Sequence, residues 1–405
     1  MKSGYKRIGN YIRLVDERNR DLKVTTLLGL SIEKVFIASV ANIIGSDMAN
    51  YKIIRKGQFA CSLMQVRRDK KIPVALLRDF DEAIISQAYP VFEIIDRNEL
   101  DPEYVMMWMS RPEFDRHACF LAVGGVRGSL EWEDFCDMKL PVPSIEKQRK
   151  IVREYNTIVN RIHLNGQMNQ KLEETAQAIY KHWFVDFEFP ISAEYASSIG
   201  KPELEGKPYK SSGGEMVFCT HIEMEIPIFW QSELLCNITT MKYGKMLDSS
   251  LFLESGYPVY SGYGIRGYHT EYMYIEPQVL VLCRGVSGTG KVRMSPPYAH
   301  ITNLSIVVES NEAKLNKQFL YFHLKNRNLR ALDSGSAASQ ITIGDLEKYR
   351  ILYPSKEYQD IFGILTKDIA NKTLTHDLQI KRLEDLKEVL LAKISVAPKE
   401  EILAA

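Results

Sequence analysis

The chain has no C-x-x-C pair. Its six cysteines, Cys61, Cys119, Cys136, Cys219, Cys236 and Cys283, stand singly across 405 residues. That excludes zinc-finger and dithiol chemistry built on paired thiols, and the pattern reads as reduced, mostly buried thiols of a cytoplasmic protein. An excess of one sign of charge is also missing: 52 Lys and Arg stand against 51 Asp and Glu, for a net charge of +1. A histone-like polycation is thereby excluded, and any nucleic-acid contact must come from local basic patches. Long apolar runs are absent as well. The opening MKSGYKRIGNYIRLVDERNRDLK is polar with no apolar signal core, and VFIASVANIIG, the most apolar early stretch, is too short to cross a bilayer. The expectation is a soluble cytoplasmic chain with no membrane partner. What the sequence does have is length and apolar content for two to four domains with real cores.

A repeat organises the chain. The segment GSLEWEDFCDMKLPVPSIEKQRKIV from Gly128 matches SQITIGDLEKYRILYPSKEYQDIFG from Ser339 without a gap, and the offset of 211 residues holds throughout. Gly124 falls on Gly335, Asp134 on Asp345, Pro143 on Pro354, Glu146 on Glu357, Gln148 on Gln359, Asn160 on Asn371 and Glu173 on Glu384. Each copy reads as an apolar–polar strand, a prolyl stop and a long helix.

In the first helix Ile151, Ile158, Leu172 and Ile179 recur every seven residues, with Asn165 at the central position of the same register. Tyr155, Ile162, Ala176 and Trp183 follow four residues on, which completes the a/d seam of a coiled coil. In the second helix the seam is Phe362, Ile369, His376, Leu383 and Leu390. The polar residues at its centre, Asn165, Asn169 and His376, read as register-setters rather than ligands, and no metal site is expected. Each helix covers about 38 residues, roughly 57 Å, too long for a compact domain. Two matched seams predict an antiparallel pair about a pseudo-twofold axis.

The segments before the helices are dissimilar in sequence. The first carries β-type runs such as KIPVALL and YPVFEII and a helical DPEYVMMWMSRPEFD; the second carries VLVLC, LSIVV and YRILY with the helical KQFLYFHLKNRNLRAL. Both read as mixed α+β units. The expected organisation is a first recognition unit over 1–145, a helix over 146–185, a linker over 186–214, a second unit over 215–355, a helix over 356–396 and a tail over 397–405. The linker is read from EFPISAEYASSIGKPELEGKPYKSSGGEM, rich in Pro, Gly, Ser and charge.

These residues resemble the specificity (S) subunit of type I restriction–modification enzymes. Nearly the whole chain takes part: two variable target-recognition units, a helix ending in LEETAQAIYKHWFVDFEFP, and a helix ending in RLEDLKEVLLAKI, with a P-x-x-x-x-Q approach to each helix at Pro143–Gln148 and Pro354–Gln359. EIPIFW at 225–230 departs from the family's usual Gly or Glu before the Trp and leaves only the start of the second unit open. The resemblance implies a scaffold that binds double-stranded DNA and has no catalytic residues. Each unit would read one half of a split site, with the helix pair setting the gap. Two methyltransferase (M) subunits and motor-nuclease (R) subunits would dock, and S-adenosylmethionine, ATP and magnesium would belong to them. Because the units are not copies, the two half-sites should differ. A specificity subunit for a fused nuclease–methyltransferase, as in some type II systems, shares these features. A self-sufficient adenine methyltransferase and a coiled-coil adaptor without DNA binding are the remaining alternatives.

Three well-known motifs crowd the second unit, and context argues against each. Gly262, Gly264 and Gly267 spell G-x-G-x-x-G, but an aromatic strand-like segment follows instead of a helix. Gly285, Gly290 and Lys291 have phosphate-loop spacing, yet Val292 replaces the required hydroxyl residue, and Pro296 and Pro297 forbid the helix that must follow. Ser295–Tyr298 spells the SPPY of adenine methyltransferases without the alternating strands and helices such an enzyme needs; it reads as the start of a returning strand. These residues suit DNA contact instead. Arg284, Lys291 and Arg293 lie among glycines that let backbone approach phosphate, and Tyr260, Tyr263, Arg266, Tyr268 and His269 can pack or bond on base edges. In the first unit the cluster is Arg67, Arg68, Lys70 and Lys71, while Arg127 and, across the repeat, Ser339 and Gln340 precede each helix-entry strand.

Overall fold

The computed structural model describes residues 5–39, 47–124, 128–285, 288–333 and 339–394. The chain folds as two compact units, residues 1–165 with 378–405, and residues 166–377.

The first unit is built on a four-stranded antiparallel sheet in the order Ile12–Val15, Val91–Ile94, Phe59–Cys61, Val74–Leu76. Phe59, Ala60 and Cys61 are all buried, as are Val74 and Ala75, so these strands are apolar on both faces. Phe59 stacks on Phe92 with ring centroids 4.9 Å apart, and Phe92 meets Phe135 edge-on at 5.6 Å. The helical stretch after the sheet is two helices, Pro102–Met109 and Pro112–Leu121. Pro112 opens the second because it lacks the N–H that a continuous helix would need. A short helix, Trp132–Asp137, then leads to strand Lys139–Pro141, which pairs antiparallel with Tyr5–Arg7 and feeds the first long helix, Ile145–Phe184.

The second unit repeats this plan without sequence likeness in its sheet. Its four-stranded antiparallel sheet runs Thr239–Tyr243, Ser305–Ser310, Val279–Leu282, Val292–Met294. Helix Lys317–Lys325 follows the sheet, and short helix Ile343–Glu347 leads to strand Arg350–Tyr353, paired with Gln231–Leu234. The second long helix is Lys356–Ile394. Aromatic packing closes the core: Phe184 sits 4.8 Å from Phe319 and 5.2 Å from Phe362, both edge-on.

The segment 186–214, expected to be a linker, is part of this core. Phe187, Phe189, Ile191 and Tyr209 are buried, and Phe189 stacks between Tyr209 at 4.8 Å and Trp230 at 4.6 Å. The segment's composition is loop-like, but a few large apolar side chains outweigh it: burying each is worth roughly 1.5–3 kcal/mol.

Within each unit the long helices pack antiparallel along the expected seam. In the first unit Val152 shares the core with Leu391 and Ile394, while further along Asn165 Nδ2 donates to Gln379 Oε1 at 3.1 Å. In the second, Trp183 lies 6.4 Å from Phe362, and Asn169 Nδ2 donates to Asp377 Oδ1 at 2.7 Å. Ile158, Asn165, Phe362 and His376 are buried; Ile151, Leu172, Ile179, Ile369, Leu383 and Leu390 are half-buried. His376 donates through Nδ1–H to Asn169 Oδ1 at 2.8 Å, so these two polar seam residues bond to each other. Burial raises the Asp377 carboxyl above its usual range, and the Asn169 bond partly offsets that.

Candidate nucleic-acid interface

The duplicated glutamine holds each unit together in the same way. Gln148 Oε1 accepts the backbone N–H of Asp101 at 2.9 Å, and its Nε2 donates to the carbonyls of Glu99 and Pro143. Asp101 in turn caps helix Pro102–Met109, accepting from the N–H groups of Glu103 and Tyr104. In the second unit Gln359 Oε1 accepts the N–H of Asn316 at 3.0 Å, its Nε2 donates to Pro354, and Asn316 caps helix Lys317–Lys325. Both glutamines are fully buried. The P-x-x-x-x-Q spacing is thus a clamp between the long helix and the recognition fold.

The clamp fixes where the strand-entry turn meets the sheet. Leu130 N–H donates to Leu63 O at 2.9 Å in the first unit, and Ile341 N–H donates to Cys283 O at 3.0 Å in the second. Leu130 and Ile341 are repeat equivalents, 211 residues apart. Leu63 and Cys283 each follow the same inner strand of their sheets, Phe59–Cys61 and Val279–Leu282. The loops that open at Ser62 and at Cys283 therefore occupy the same position in the two folds, and both carry basic residues.

In the second unit Tyr263 pins this loop. Its hydroxyl donates to Arg284 O at 2.7 Å, and a Cβ at Gly285 or Gly288 would stand 2.3 Å from that hydroxyl. Gly290 has φ +85°, and a Cβ there would be 2.6 Å from Arg330 N, so only glycine serves. Arg284 bridges Gln340, Thr289 Oγ1 donates to Ser339 O at 3.4 Å, and Asp333 accepts from Gln340 N–H at 2.8 Å and from the Ser339 hydroxyl. Tyr263, Arg284, Ser339 and Gln340 are thus brought together, with exposed Lys291 at the loop's end. Arg293 is exposed on the returning strand Val292–Met294, and Arg266 on strand Ile265–His269 donates to Ser261 Oγ at 3.3 Å. Tyr260 stands apart from these. It packs on the buried cluster of Leu280, Ala299, Ile301 and Val307, and burial raises its phenol pKa.

The glycine motifs are turns. Gly262 and Gly264 lie in the hairpin between Tyr257–Tyr260 and Ile265–His269, and the phosphate-loop look-alike is the connection between two antiparallel strands. With no helix after it, that loop lacks the aligned N–H groups that hold a nucleotide's phosphates. SPPY does not open the returning strand as expected; Val292–Met294 is complete before Ser295, whose backbone pairs with Gln278 at 2.9 Å.

In the first unit Arg67 and Arg68 ride the one-turn helix Val66–Asp69. Arg67 Nη1 donates to Gly124 O at 3.1 Å, and its side chain lies so close to Gly128 that a Cβ there would come within 2.6 Å. Arg68 pairs with Asp69 at 2.7 Å, and Lys70 is exposed while Lys71 is half-buried. Arg127 lies outside the described residues. Arg116 and Lys34, which stand outside the basic cluster in the sequence, share a cleft with Lys70 and Lys71. No sequence pattern links these residues, since tertiary packing alone joins a hairpin tip, a loop and a helix. Among the described residues no group of three His, Cys, Asp or Glu side chains is placed to hold a metal ion, and no helix is long and apolar enough to cross a membrane.

Residues 230–385 match the family model of the type I restriction modification DNA specificity domain. The chain is 24% identical to the type I restriction enzyme HindI specificity subunit of Haemophilus influenzae, over 85% of this chain and 86% of that one. It is 21% identical to the MjaIX specificity subunit of Methanocaldococcus jannaschii, over 74% and 70% respectively. The crystal structure of the type I restriction–modification S subunit from M. genitalium covers 96% of this chain, with a TM-score of 0.62 at 17% identity, and shares its fold. Residues 230–385 thus belong to the type I restriction modification DNA specificity domain family, and over most of its length the chain is similar to type I restriction enzyme specificity subunits.

Proposed function

We propose that this chain is the non-catalytic DNA-reading subunit of its system and reads an asymmetric bipartite site in double-stranded DNA, one half with each unit. The observation that carries the reading is that two units of one topology present unrelated basic loops at one position. Arg67, Arg68, Lys70 and Lys71 stand in the first, and Arg284 and Lys291, backed by Tyr263, Ser339 and Gln340, in the second. Arginines on such loops suit guanine edges, and lysines and backbone amides suit phosphates. Arg266 and Arg293 belong to the surface of the second unit in this reading. Tyr260 supports the strand beneath it.

Methylation and cleavage then come from other chains. Two M subunits dock on repeat-related surfaces and R subunits join them, and those partners hold S-adenosylmethionine, magnesium and ATP. All six cysteines are free thiols, which supports a reducing, cytoplasmic setting.

The test is a chimera in which the 62–73 loop and sheet of the first unit replace those of the second. Co-expressed with the M partner, it should direct methylation of a palindromic motif built from one half-site. An unchanged methylation pattern would overturn the reading.

A further inference from the structure

Beside the basic loop of the first unit lies a cleft of about 370 Å3 lined by Glu33, Lys34, Lys70, Lys71, Asp115 and Arg116 among others. Two of these residues form a brace. Lys34 Nζ and Asp115 Oδ1, both on buried side chains, pair at 2.8 Å. Lys34 also donates to Met109 O and lies 5.5 Å from the Phe114 ring centroid. Asp115 Oδ1 accepts the N–H of Ile72, the far end of the basic loop, at 3.1 Å. The brace thus ties a hairpin tip and the loop to helix Pro112–Leu121, and its two charges cancel.

What remains for a ligand is three cations against Glu33. Among the described residues Arg116 pairs with Glu113 alone, an exposed pair at 2.9 Å that solvent screens. Lys70 and Lys71 make no ion pair among the described residues. The backbone is also held in an unusual shape there: Lys34 has φ +63° and Lys70 φ +53°, left-handed conformations that side chains rarely adopt. Such strain persists where surrounding bonds over-determine it, and it concentrates at binding sites.

Lysine is a compact point charge that binds phosphate well and lacks the rigid planar fork of arginine, so two adjacent lysines favour a backbone contact. Arg67 sits one turn earlier on the same loop, against the Gly124 turn. We infer that Lys70, Lys71 and Arg116 hold a backbone phosphate of the duplex in this cleft, supplying affinity and register while base choice rests with neighbouring side chains. The inference depends on the DNA-reading function proposed above and divides its labour.

The experiment uses the full chain assembled with its M partner and a duplex carrying the methylated motif. In the K70Q/K71Q variant, affinity at fixed salt should fall several-fold. The slope of log K against log salt should fall in magnitude by about one, roughly 0.9 for the one lost phosphate contact. The ratio of affinities for cognate and singly mismatched duplexes should stay the same, and K70R/K71R should restore the slope. An unchanged slope, or a changed mismatch ratio, would overturn the assignment while leaving DNA reading intact; wild-type complex without sequence-specific binding would overturn both. Inorganic phosphate at matched ionic strength should compete no better than chloride. Displacement of DNA by phosphate from wild type but not from K70Q/K71Q would assign the cleft to a free anion instead.

Discussion

The side chain of Gln148 receives the backbone N–H of Asp101 at 2.9 Å, and its repeat equivalent Gln359 receives that of Asn316 at 3.0 Å. Each bond joins the start of a long helix to the capping residue of the helix that follows a recognition sheet. Two sheets of unrelated sequence are thereby mounted on one fitting.

Replacing either glutamine with alanine leaves a part-buried N–H and two carbonyls short of a partner in the first unit, and one of each in the second. Each unmet buried group costs about 1–3 kcal/mol. Q148A and Q359A should therefore each lower stability by roughly 2–4 kcal/mol, measured as a shift in the urea midpoint. A loss below about 0.5 kcal/mol, the range of ordinary surface changes, would show that the clamp is incidental.

Asn165 makes the opposite case. It is fully buried, it donates to Gln379, and its Oδ1 has no partner among the described residues. An unpaired buried oxygen is costly, and polar seam residues trade stability for register. N165L should raise stability by about 1 kcal/mol, while cross-linking of engineered cysteines along the seam should reveal additional registers. A lowered urea midpoint would contradict this view of Asn165.

His323 sets an acid limit on the second unit. It is fully buried, its Nδ1 meets the Tyr180 hydroxyl at 2.9 Å, and burial pushes its pKa down to about 3. The unfolded chain titrates near the ordinary 6.5, so between 6.5 and 3 the unfolded state binds a proton that the folded state refuses. Stability from this group is complete above pH 6.5 and declines as pH falls, by at most about 1.4 kcal/mol per pH unit. Urea midpoints measured from pH 7 to pH 5 should fall, and H323Q should flatten that decline. The same slope in H323Q would remove His323 from the account.

Gly290 tests the loop reading against the phosphate-loop look-alike. Alanine there meets both a left-handed φ of +85° and Arg330 N at 2.6 Å, so the loop must shift. G290A should weaken binding of the assembled complex to its cognate duplex by about tenfold, the scale of 1.4 kcal/mol. Unaltered DNA affinity would place the loop away from the duplex.

Much of this architecture was legible in the sequence because it repeats. The 211-residue offset marks Gln148 and Gln359 as equivalent, and the seven-residue spacing of Ile151, Ile158, Asn165 and Leu172 marks the seam. Periodicity survives without knowledge of the partners. The shared sheet order was not legible, because strands as short as Phe59–Cys61 and Val279–Leu282 are continuous apolar runs that give no register. The 186–214 segment misled for a related reason: its polar majority hides Phe187, Phe189 and Tyr209, whose burial depends on Trp230. The cleft beside Lys70 was invisible, since Lys34 and Asp115 are 81 residues apart in sequence and meet only in the fold. The basic loops were legible as clusters, but their equivalence emerged from the Leu63 and Cys283 backbone bonds.

The most direct test of the central claim is to map modified bases by single-molecule sequencing in a host expressing this chain with its M partner. One methylated motif is expected, split by an unread gap, with two different halves, and it should disappear when this chain is omitted. A continuous or palindromic motif, or methylation that persists without the chain, would contradict it.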